Sequence, residues 1–450
     1  MFRISIDRAI GLLAALLLLI VQAISAAEFR AASAKTEITP SDSVDLWGYS
    51  DRTGPATGTH DPLYAKILVL DDGTTRMALV TLDLGRTFGM ESMSVVRDRV
   101  RKSANVTHVS FSASHTHSAP VIDESYADGK RPAWETTALD KISAAIEAAT
   151  KKLQTALIGT GEGEVFIGHN RRLMQPDGKI KMLWRNATKV PTHPLDSRVG
   201  IIRIDNQNGK PLAVVVNYSC HPVVYGPDNL QYSADFPGAM AEVVEGAFDA
   251  DCVCLFLQGA PGDINPYYDK MRLEAGAETL MRQTGRTLGD EALRVTKTIT
   301  PTAPKTPEIQ VSVETRRFQL RYDTEKLLAA LRPTASPEAL ERYQKALSNP
   351  TECPVTTMLI NREIALMGMP GEPFVELGLN FRDRAPAANS YFAGYLNGYH
   401  GYFPTIRAAV EGGYGAEGIV ARVEVSAGEA MVDMAIVRLL TMQGLLKSAP

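Results

Sequence analysis

Two histidines separated by a single residue are the first candidates for chemistry in this chain of 450 residues. His115 and His117 follow an apolar run that ends at Phe111. On an extended backbone, side chains at positions i and i+2 leave the same face, so one imidazole could bind a metal while the other reaches a substrate or a water molecule. Two polar histidines held by backbone groups in a turn explain this pair alone equally well.

His221 and Glu372 extend the candidate set to two further loops. His221 follows a second apolar run, and Glu372 lies in the sequence Met-Pro-Gly-Glu-Pro after another. Two histidines and one carboxylate are a common ligand set for catalytic zinc, and they leave a coordination position for water. Taken singly, His221 could instead be structural, and Glu372 could lie near a helix N-terminus or be solvated.

Familiar motifs of other hydrolases are missing from the sequence. The absence of H-E-x-x-H and of its inverted form excludes the zinc-protease helix, and the absence of G-x-S-x-G argues against a serine nucleophile. The four cysteines are Cys220, Cys252, Cys254 and Cys353. They contain no C-x-x-C pair, which disfavours a cysteine zinc cluster. Three disulfide connectivities are open to them in an oxidising compartment, but we interpret them as structural cysteines.

The elements that must position these residues are short apolar runs that stop abruptly in small and polar residues. Four such runs are Val106 to Phe111, Leu212 to Tyr218, Val253 to Leu257 and Ile364 to Met367. Runs of this kind predict strands buried on both faces, and amphipathic stretches between them predict helices. We therefore expect an α/β fold: a single layered catalytic domain with its site at the carboxyl ends of strands.

Charge and the N-terminal segment limit the partners and the compartment. A net charge of −4 without a block of Lys or Arg excludes nucleic acid as a partner. Residues 1–27 combine two arginines, an apolar run and the small residues Ser25-Ala26-Ala27, which predicts a signal peptide rather than a membrane anchor. We expect residues 28–450 to be the mature catalytic domain, periplasmic or secreted, with no transmembrane segment.

Several blocks of the chain resemble the catalytic domain of the neutral/alkaline, non-lysosomal ceramidases. The resemblance extends from Ala34 to about Leu440. Its blocks are Thr36-Glu37-Ile38-Thr39-Pro40, Gly58-Thr59-His60-Asp61-Pro62-Leu63, Val80-Thr81-Leu82-Asp83-Leu84-Gly85 and, most specifically, Ser114-His115-Thr116-His117-Ser118-Ala119-Pro120. Family members carry an immunoglobulin-like domain after this region, and we expect the present chain to carry only the catalytic domain.

The resemblance implies a complete active site. The implied zinc ligands are His115, His221, Glu372 and Tyr402. His117, Arg171 and Tyr414 fall on active-site positions of the family, and the spacing of the two tyrosines agrees with the family pattern. The implied activity is that of an exported Zn²⁺-dependent amidohydrolase that cleaves a ceramide-like N-acyl bond with a zinc-activated water. His117 would carry the proton, and Arg171 or Tyr414 would stabilise the oxyanion.

Two other functions remain open beside this one. The same zinc chemistry would serve an esterase, lactonase or carbamate hydrolase that acts on a smaller substrate. A non-catalytic, zinc-stabilised binding protein is the alternative from a different class. The partner that we expect in either hydrolase is a small acyl amide or ester, with lipids included.

One position departs from the family pattern. The family sequence Gly-Asp-Val-Ser-Pro-Asn appears here as Gly262-Asp263-Ile264-Asn265-Pro266-Tyr267, so that Asn265 replaces the serine. A carboxamide cannot form an acyl-enzyme, but it can donate and accept hydrogen bonds. We therefore predict that Asn265 contacts the substrate, and that this substrate is smaller or more soluble than ceramide.

Overall fold

The computed structural model describes residues 28–446, apart from 125, 127–129, 249–250, 334, 338–339, 342–343, 345–346 and 348–350. The predicted signal peptide, residues 1–27, lies outside the described residues. A search of the described helices for one with the length and apolar character needed to cross a membrane finds none.

The described residues form a succession of strands and helices. The strands are β1 (Arg30–Glu37), β2 (Gly58–Thr59), β3 (Tyr64–Asp71), β4 (Arg76–Leu82), β5 (His108–Ala113), β6 (Gln154–Glu164), β7 (Gly168–Asn170), β8 (Arg172–Met174), β9 (Ile180–Met182), β10 (Arg198–Asn206), β11 (Pro211–Tyr218), β12 (Gln231–Tyr232), β13 (Val253–Gln258), β14 (Ile264–Pro266), β15 (Ile309–Phe318), β16 (Thr351–Ile360), β17 (Ile364–Gly368), β18 (Glu372–Pro373), β19 (Asn389–Ala393) and β20 (Tyr402–Phe403). The α-helices are α1 (Met90–Ala104), α2 (Ala133–Thr150), α3 (Phe236–Glu245), α4 (Ala277–Thr298), α5 (Thr324–Leu331), α6 (Val375–Arg384), α7 (Ile406–Glu411) and α8 (Ala427–Met442).

Two main sheets form the centre of the fold. The larger has eight strands in the order β13-β11-β10-β6-β1-β3-β4-β5, and the smaller has four in the order β15-β16-β17-β19. In the larger sheet, β1 pairs with β6 through only two residue pairs. Strand β13 also contacts β3, β4 and β5 of the other half. The large sheet therefore folds over at the β1–β6 junction, and its two edges approach each other.

The apolar residues are buried between four layers, which are helices, the large sheet, the small sheet and a second set of helices. Helices α1 and α2 cover one half of the large sheet, and α3 and α4 cover the other half. The inner faces of the two main sheets share a core, while α6 and α8 cover the outer face of the small sheet. In α4 the buried residues Met281, Leu288 and Val295 recur every seven residues, which places them on one face of the helix. The predicted α/β class is confirmed.

The four apolar runs are strands β5, β11, β13 and β17, and each is buried on both faces. Each strand ends just before one of the loops that carry candidate residues. Because the large sheet folds over, the loops after β5 and β11 meet even though these strands lie far apart in the strand order.

All four cysteines are buried and free. Burial raises the pKa of the Cys252 thiol to about 12 and suppresses its thiolate. The Cys254 Sγ lies 3.7 Å from the Met240 sulfur within the apolar core. The thiols therefore act as small apolar groups, in agreement with their interpretation as structural cysteines.

Candidate active site

His115, His221 and Glu372 form a buried cluster whose potential ligand atoms all lie within 4.8 Å of one another. The His221 Nε2 lies 3.1 Å from the Glu372 Oε2, and the His115 Nε2 lies 3.5 Å from the same oxygen. The three side chains come from three separate segments, the loops after β5 and β11 and the start of β18. Two imidazole nitrogens and a carboxylate oxygen that converge in this way fit a metal ion.

Backbone carbonyls orient both imidazoles of the cluster. The His115 Nδ1 lies 2.5 Å from the Gly85 oxygen, and the His221 Nδ1 lies 3.0 Å from the Ile264 oxygen. Because a carbonyl oxygen only accepts hydrogen bonds, each Nδ1 carries the proton and each Nε2 keeps its lone pair. Metal-binding histidines are commonly held in this way by the second ring nitrogen.

The protonation states of the cluster also suit a metal. Burial lowers the pKa of His115 to about 4 and lowers that of His221. Burial alone would raise the pKa of Glu372, but the two histidines and Tyr399 bring it down to about 2. At neutral pH the imidazoles are therefore neutral and the carboxylate is ionised, which is the form that binds cations.

Gln258, at the end of β13, joins the two histidine loops. Its Nε2 donates hydrogen bonds to the Ser114 oxygen and the Cys220 oxygen, both at 2.8 Å. These acceptors immediately precede His115 and His221 in the chain. Sequence analysis did not identify Gln258, and its only signal is a polar residue at the end of an apolar strand.

Glu372 is fixed by its backbone on two sides. In β18 it pairs with Tyr402 of β20, which places the two residues side by side. On the other side, the Gly262 N–H donates to the Pro373 oxygen at 2.8 Å. A Cβ atom at Gly262 would lie only 2.6 Å from the backbone oxygen of Glu372, so this close approach of two backbones requires glycine.

Tyr399 contacts the carboxylate directly, although sequence analysis did not identify it. Its hydroxyl donates to the Glu372 Oε1 at 2.5 Å, which leaves Oε2 facing the two histidines. The phenol of Tyr402, the fourth predicted ligand, instead accepts a hydrogen bond from Arg171 Nη2 at 3.2 Å. No sequence signal singles out Tyr399, which lies three residues before Tyr402 in the same stretch of the chain.

Arg171 lies beside the cluster and is held by three hydrogen bonds. It donates from Nη1 to the Asn265 Oδ1 at 3.0 Å and from Nη2 to the Gly262 oxygen at 2.6 Å, besides its contact with Tyr402. Burial alone would lower its pKa, but Tyr402, Tyr414 and Glu372 hold it above the ordinary value. The guanidinium is therefore a fixed, permanent positive charge. The side chain of Asn265 is buried against it.

Tyr414 stands at the outer edge of this group and is 43% exposed. Its ring lies 5.5 Å from the Tyr402 ring, and the Arg171 guanidinium lies 5.2 Å from its centroid. Trp184 packs edge-on against Tyr414 at 5.3 Å. The Trp184 ring also lies 5.2 Å from the guanidinium, so both aromatic rings pack against Arg171.

His117 completes the group, with its Nε2 3.2 Å from the His115 Nε2. Its buried Nδ1 has no hydrogen-bond partner, and burial lowers its pKa well below the usual value. The extended backbone expected for this pair is wrong, because β5 ends at Ala113 and His115 has a φ of 71°. The reversal of the chain at His115, rather than strand alternation, brings the two rings together.

Replacing Tyr399 with Phe should lower the affinity for metal by about 10–100-fold, because loss of a hydrogen bond to a ligating carboxylate typically has an effect of this size. The measurement is a competition titration of metal-free protein against a chelator of known affinity. Tyr232→Phe is the control, since the Tyr232 hydroxyl donates to the Asp42 oxygen away from the cluster. Equal affinities in the two variants would contradict the prediction.

Comparisons with known proteins agree with this architecture. Residues 29–284 match the family model for neutral/alkaline non-lysosomal ceramidase, N-terminal. The crystal structure of neutral ceramidase from Pseudomonas aeruginosa is similar, with a TM-score of 0.73 and 19% identity over 94% of this chain and 75% of that chain. A ceramidase complexed with C2 gives a TM-score of 0.74 and 18% identity over 94% of this chain and 77% of that chain. At these identities the two structures show a shared fold.

Proposed function

Because this chain belongs to the neutral/alkaline non-lysosomal ceramidase family, we propose that it is an exported zinc-dependent hydrolase of N-acyl amides. The observation that carries the proposal is the convergence of His115, His221 and Glu372 within 4.8 Å, with Arg171 and His117 directly beside them. A purely structural metal site would have no use for the last two residues. Their presence favours a hydrolase over a zinc-stabilised binding protein.

The donor set fits zinc. The two imidazoles and the carboxylate are ligand types that zinc prefers, and we propose Tyr402 as the fourth ligand because β20 places it next to Glu372. When bound there, zinc would supply a Lewis acid and lower the pKa of water to about 7.

The residues around the cluster divide the remaining work. Arg171 orients the scissile carbonyl and stabilises the negative charge that develops on its oxygen, because three hydrogen bonds fix its position and its charge is permanent. Tyr414 lies at the outer edge, where its hydroxyl could meet the same oxygen. His117 is neutral and has free hydrogen-bonding capacity. It takes a proton from the attacking water and delivers it to the leaving nitrogen.

Asn265 is the residue that we propose to set substrate preference. Its Oδ1 is held by Arg171, so it stands next to the group that orients the carbonyl. Where the family has a serine hydroxyl, this chain presents a larger carboxamide. We therefore expect a smaller or more soluble amide than ceramide as the best substrate.

Replacing Asn265 with Ala should reduce kcat/KM by about 5–150-fold, since the removal of one partner of a buried hydrogen bond costs about 1–3 kcal/mol. Metal content should be unchanged. Asn265→Ser is the matched variant, and it should shift preference toward ceramide by restoring the family residue. An acyl adduct trapped on Asn265, or identical preferences in all three proteins, would contradict this role.

A panel of acyl substrates tests the proposed function. Zinc-loaded protein should be assayed on short-chain ceramide, simple N-acyl amides, aryl esters, lactones and carbamates, with kcat/KM as the readout. We expect amides to be cleaved, with soluble amides ahead of ceramide. Preference for esters, lactones or carbamates would replace the amidase by the second candidate, and no turnover of any substrate would favour the binding protein.

Export and domain organisation complete the proposal. We propose that residues 1–27 direct export and that residues 28–450 form one catalytic domain. Sequencing of the N-terminus of the protein recovered from the periplasm or medium should begin at or near Glu28. Recovery of full-length protein in the cytoplasm would refute export.

A further inference from the structure

Tyr395 is a buried tyrosine at the cluster for which the proposed mechanism has no role. Its ring stacks on the ring of His115, with centroids 4.2 Å apart and planes 20° from parallel. The side chain is 0% exposed, and its hydroxyl has no hydrogen-bond partner among the described residues. A buried hydroxyl without a partner destabilises a fold, and the few that persist call for an explanation.

The backbone holds Tyr395 in an unfavourable conformation. Its φ is 49°, and the His115 on which it stacks has a φ of 71°. The Tyr395 N–H donates to the Gly371 oxygen at 2.9 Å, and the Ala113 N–H donates to the Tyr395 oxygen at 3.2 Å. Gly371 immediately precedes Glu372 in the chain, and Ala113 lies two residues before His115. Left-handed conformations of bulky residues persist where surrounding contacts fix them, and they concentrate at functional sites.

The groups that act on the Tyr395 hydroxyl electrostatically belong to the cluster and its neighbours. The pKa of this hydroxyl is raised by burial first, and then by the negative charge of Glu372 and by Tyr402 and Tyr399, while Arg171 lowers it. All of these groups belong to the site. The other two phenols are already engaged, since Tyr399 donates to Glu372 and Tyr402 accepts from Arg171. Among the three phenols, only the Tyr395 hydroxyl makes no hydrogen bond to the described residues.

We propose that Tyr395 is a further catalytic residue, whose hydroxyl donates a hydrogen bond to the carbonyl oxygen of the acyl substrate as that oxygen becomes anionic. This inference rests on the proposed hydrolase function. The hydroxyl keeps its proton throughout, and no bond to Tyr395 forms or breaks. The donor is placed in advance by the stack on His115, so that little reorganisation accompanies the reaction. The empty hydrogen-bonding capacity in the free protein is filled only when the substrate is bound.

The test compares Tyr395→Phe with Tyr391→Phe. Tyr391 is the matched control because it is equally buried, but its hydroxyl donates to the Ile201 oxygen at 3.0 Å. In Tyr395→Phe we expect kcat at saturating zinc to fall about 10²–10³-fold, the usual effect of losing one oxyanion donor, with little change in KM. The thermal midpoint of the metal-free protein should be unchanged or higher, since the lost hydroxyl had no partner. In Tyr391→Phe the midpoint should fall and kcat should not.

The other possible results of this comparison distinguish a failure of the inference from a failure of the proposed function. Activity of Tyr395→Phe within threefold of the wild type would overturn the inference and leave the proposed function intact. A loss of activity that added zinc restores, with weaker metal binding, would show that the hydroxyl acts through Glu372, and would also overturn it. If the thermal midpoint of metal-free Tyr395→Phe fell as far as that of Tyr391→Phe, the Tyr395 hydroxyl would have a structural hydrogen-bond partner. That result would also overturn the inference. Failure of the wild-type protein to cleave any acyl substrate would refute the proposed function and this inference with it.

Discussion

His221→Ala is expected to reduce hydrolysis by about 10³-fold or more. The substitution removes the imidazole nitrogen that lies 3.1 Å from the Glu372 Oε2, and it leaves only one histidine to hold the metal. The loss of Lewis-acid stabilisation is worth several kcal/mol, and each 1.36 kcal/mol corresponds to about a tenfold change in rate. Measurements of kcat/KM and of metal content by emission spectrometry test the expectation together.

The control for this substitution is His108→Gln, at the start of β5 and outside the cluster. It should retain metal and activity, even if its stability changes. Chelation of the wild-type protein should reproduce the loss, and addition of zinc should reverse it. The proposed metal centre would be wrong if His221→Ala retained both stoichiometric metal and wild-type turnover.

Arg171→Met is expected to lower kcat by about 10²–10³-fold, because it removes the charged donor that we propose for the scissile carbonyl. The free energy of unfolding should also fall. The Gly262 oxygen and the Asn265 side chain would lose their donor, and each buried acceptor left unsatisfied costs about 1–3 kcal/mol. Arg171→Lys should recover only part of the activity, since an ammonium group cannot reproduce the planar fork of donors.

Arg172, the next residue in the chain, supplies a control for Arg171. Its guanidinium donates to the Gly412 oxygen at 2.6 Å and contacts Glu411, at the end of α7 rather than at the cluster. Arg172→Met should therefore destabilise the protein with a much smaller effect on kcat. Steady-state kinetics and denaturant unfolding of both variants separate the two roles. Equal losses of kcat would show that Arg171 acts through general stability.

The sequence predicts well what depends on local pattern. Strands β5, β11, β13 and β17 were predictable because burial on both faces leaves an unbroken apolar run. The histidines and Glu372 stood out because charged or polar groups directly follow such runs. The α/β class follows from the same alternation of strands and helices.

The sequence does not predict contacts that depend on how the large sheet folds over. Gln258 bonds to a carbonyl 144 residues away, and only the approach of β13 to the far half of the sheet makes this possible. Tyr399 and Tyr402 lie in one loop, and nothing in their spacing shows which phenol reaches Glu372. The turn at His115 was also missed, because a non-glycine residue with a positive φ has no reliable sequence signature.

The origin of the cluster in three distant segments of the chain has a consequence for how the protein matures. The contacting pair His221 and Glu372 is separated by 151 residues, so a growing chain carries both histidines long before it carries the carboxylate. Bringing such distant segments together has a large entropic cost, and domains are completed as units rather than piecemeal. A nascent chain therefore lacks the complete ligand set until most of it has been synthesised. Loading of the proposed metal would then be a late step of biogenesis that depends on assembly of the whole fold.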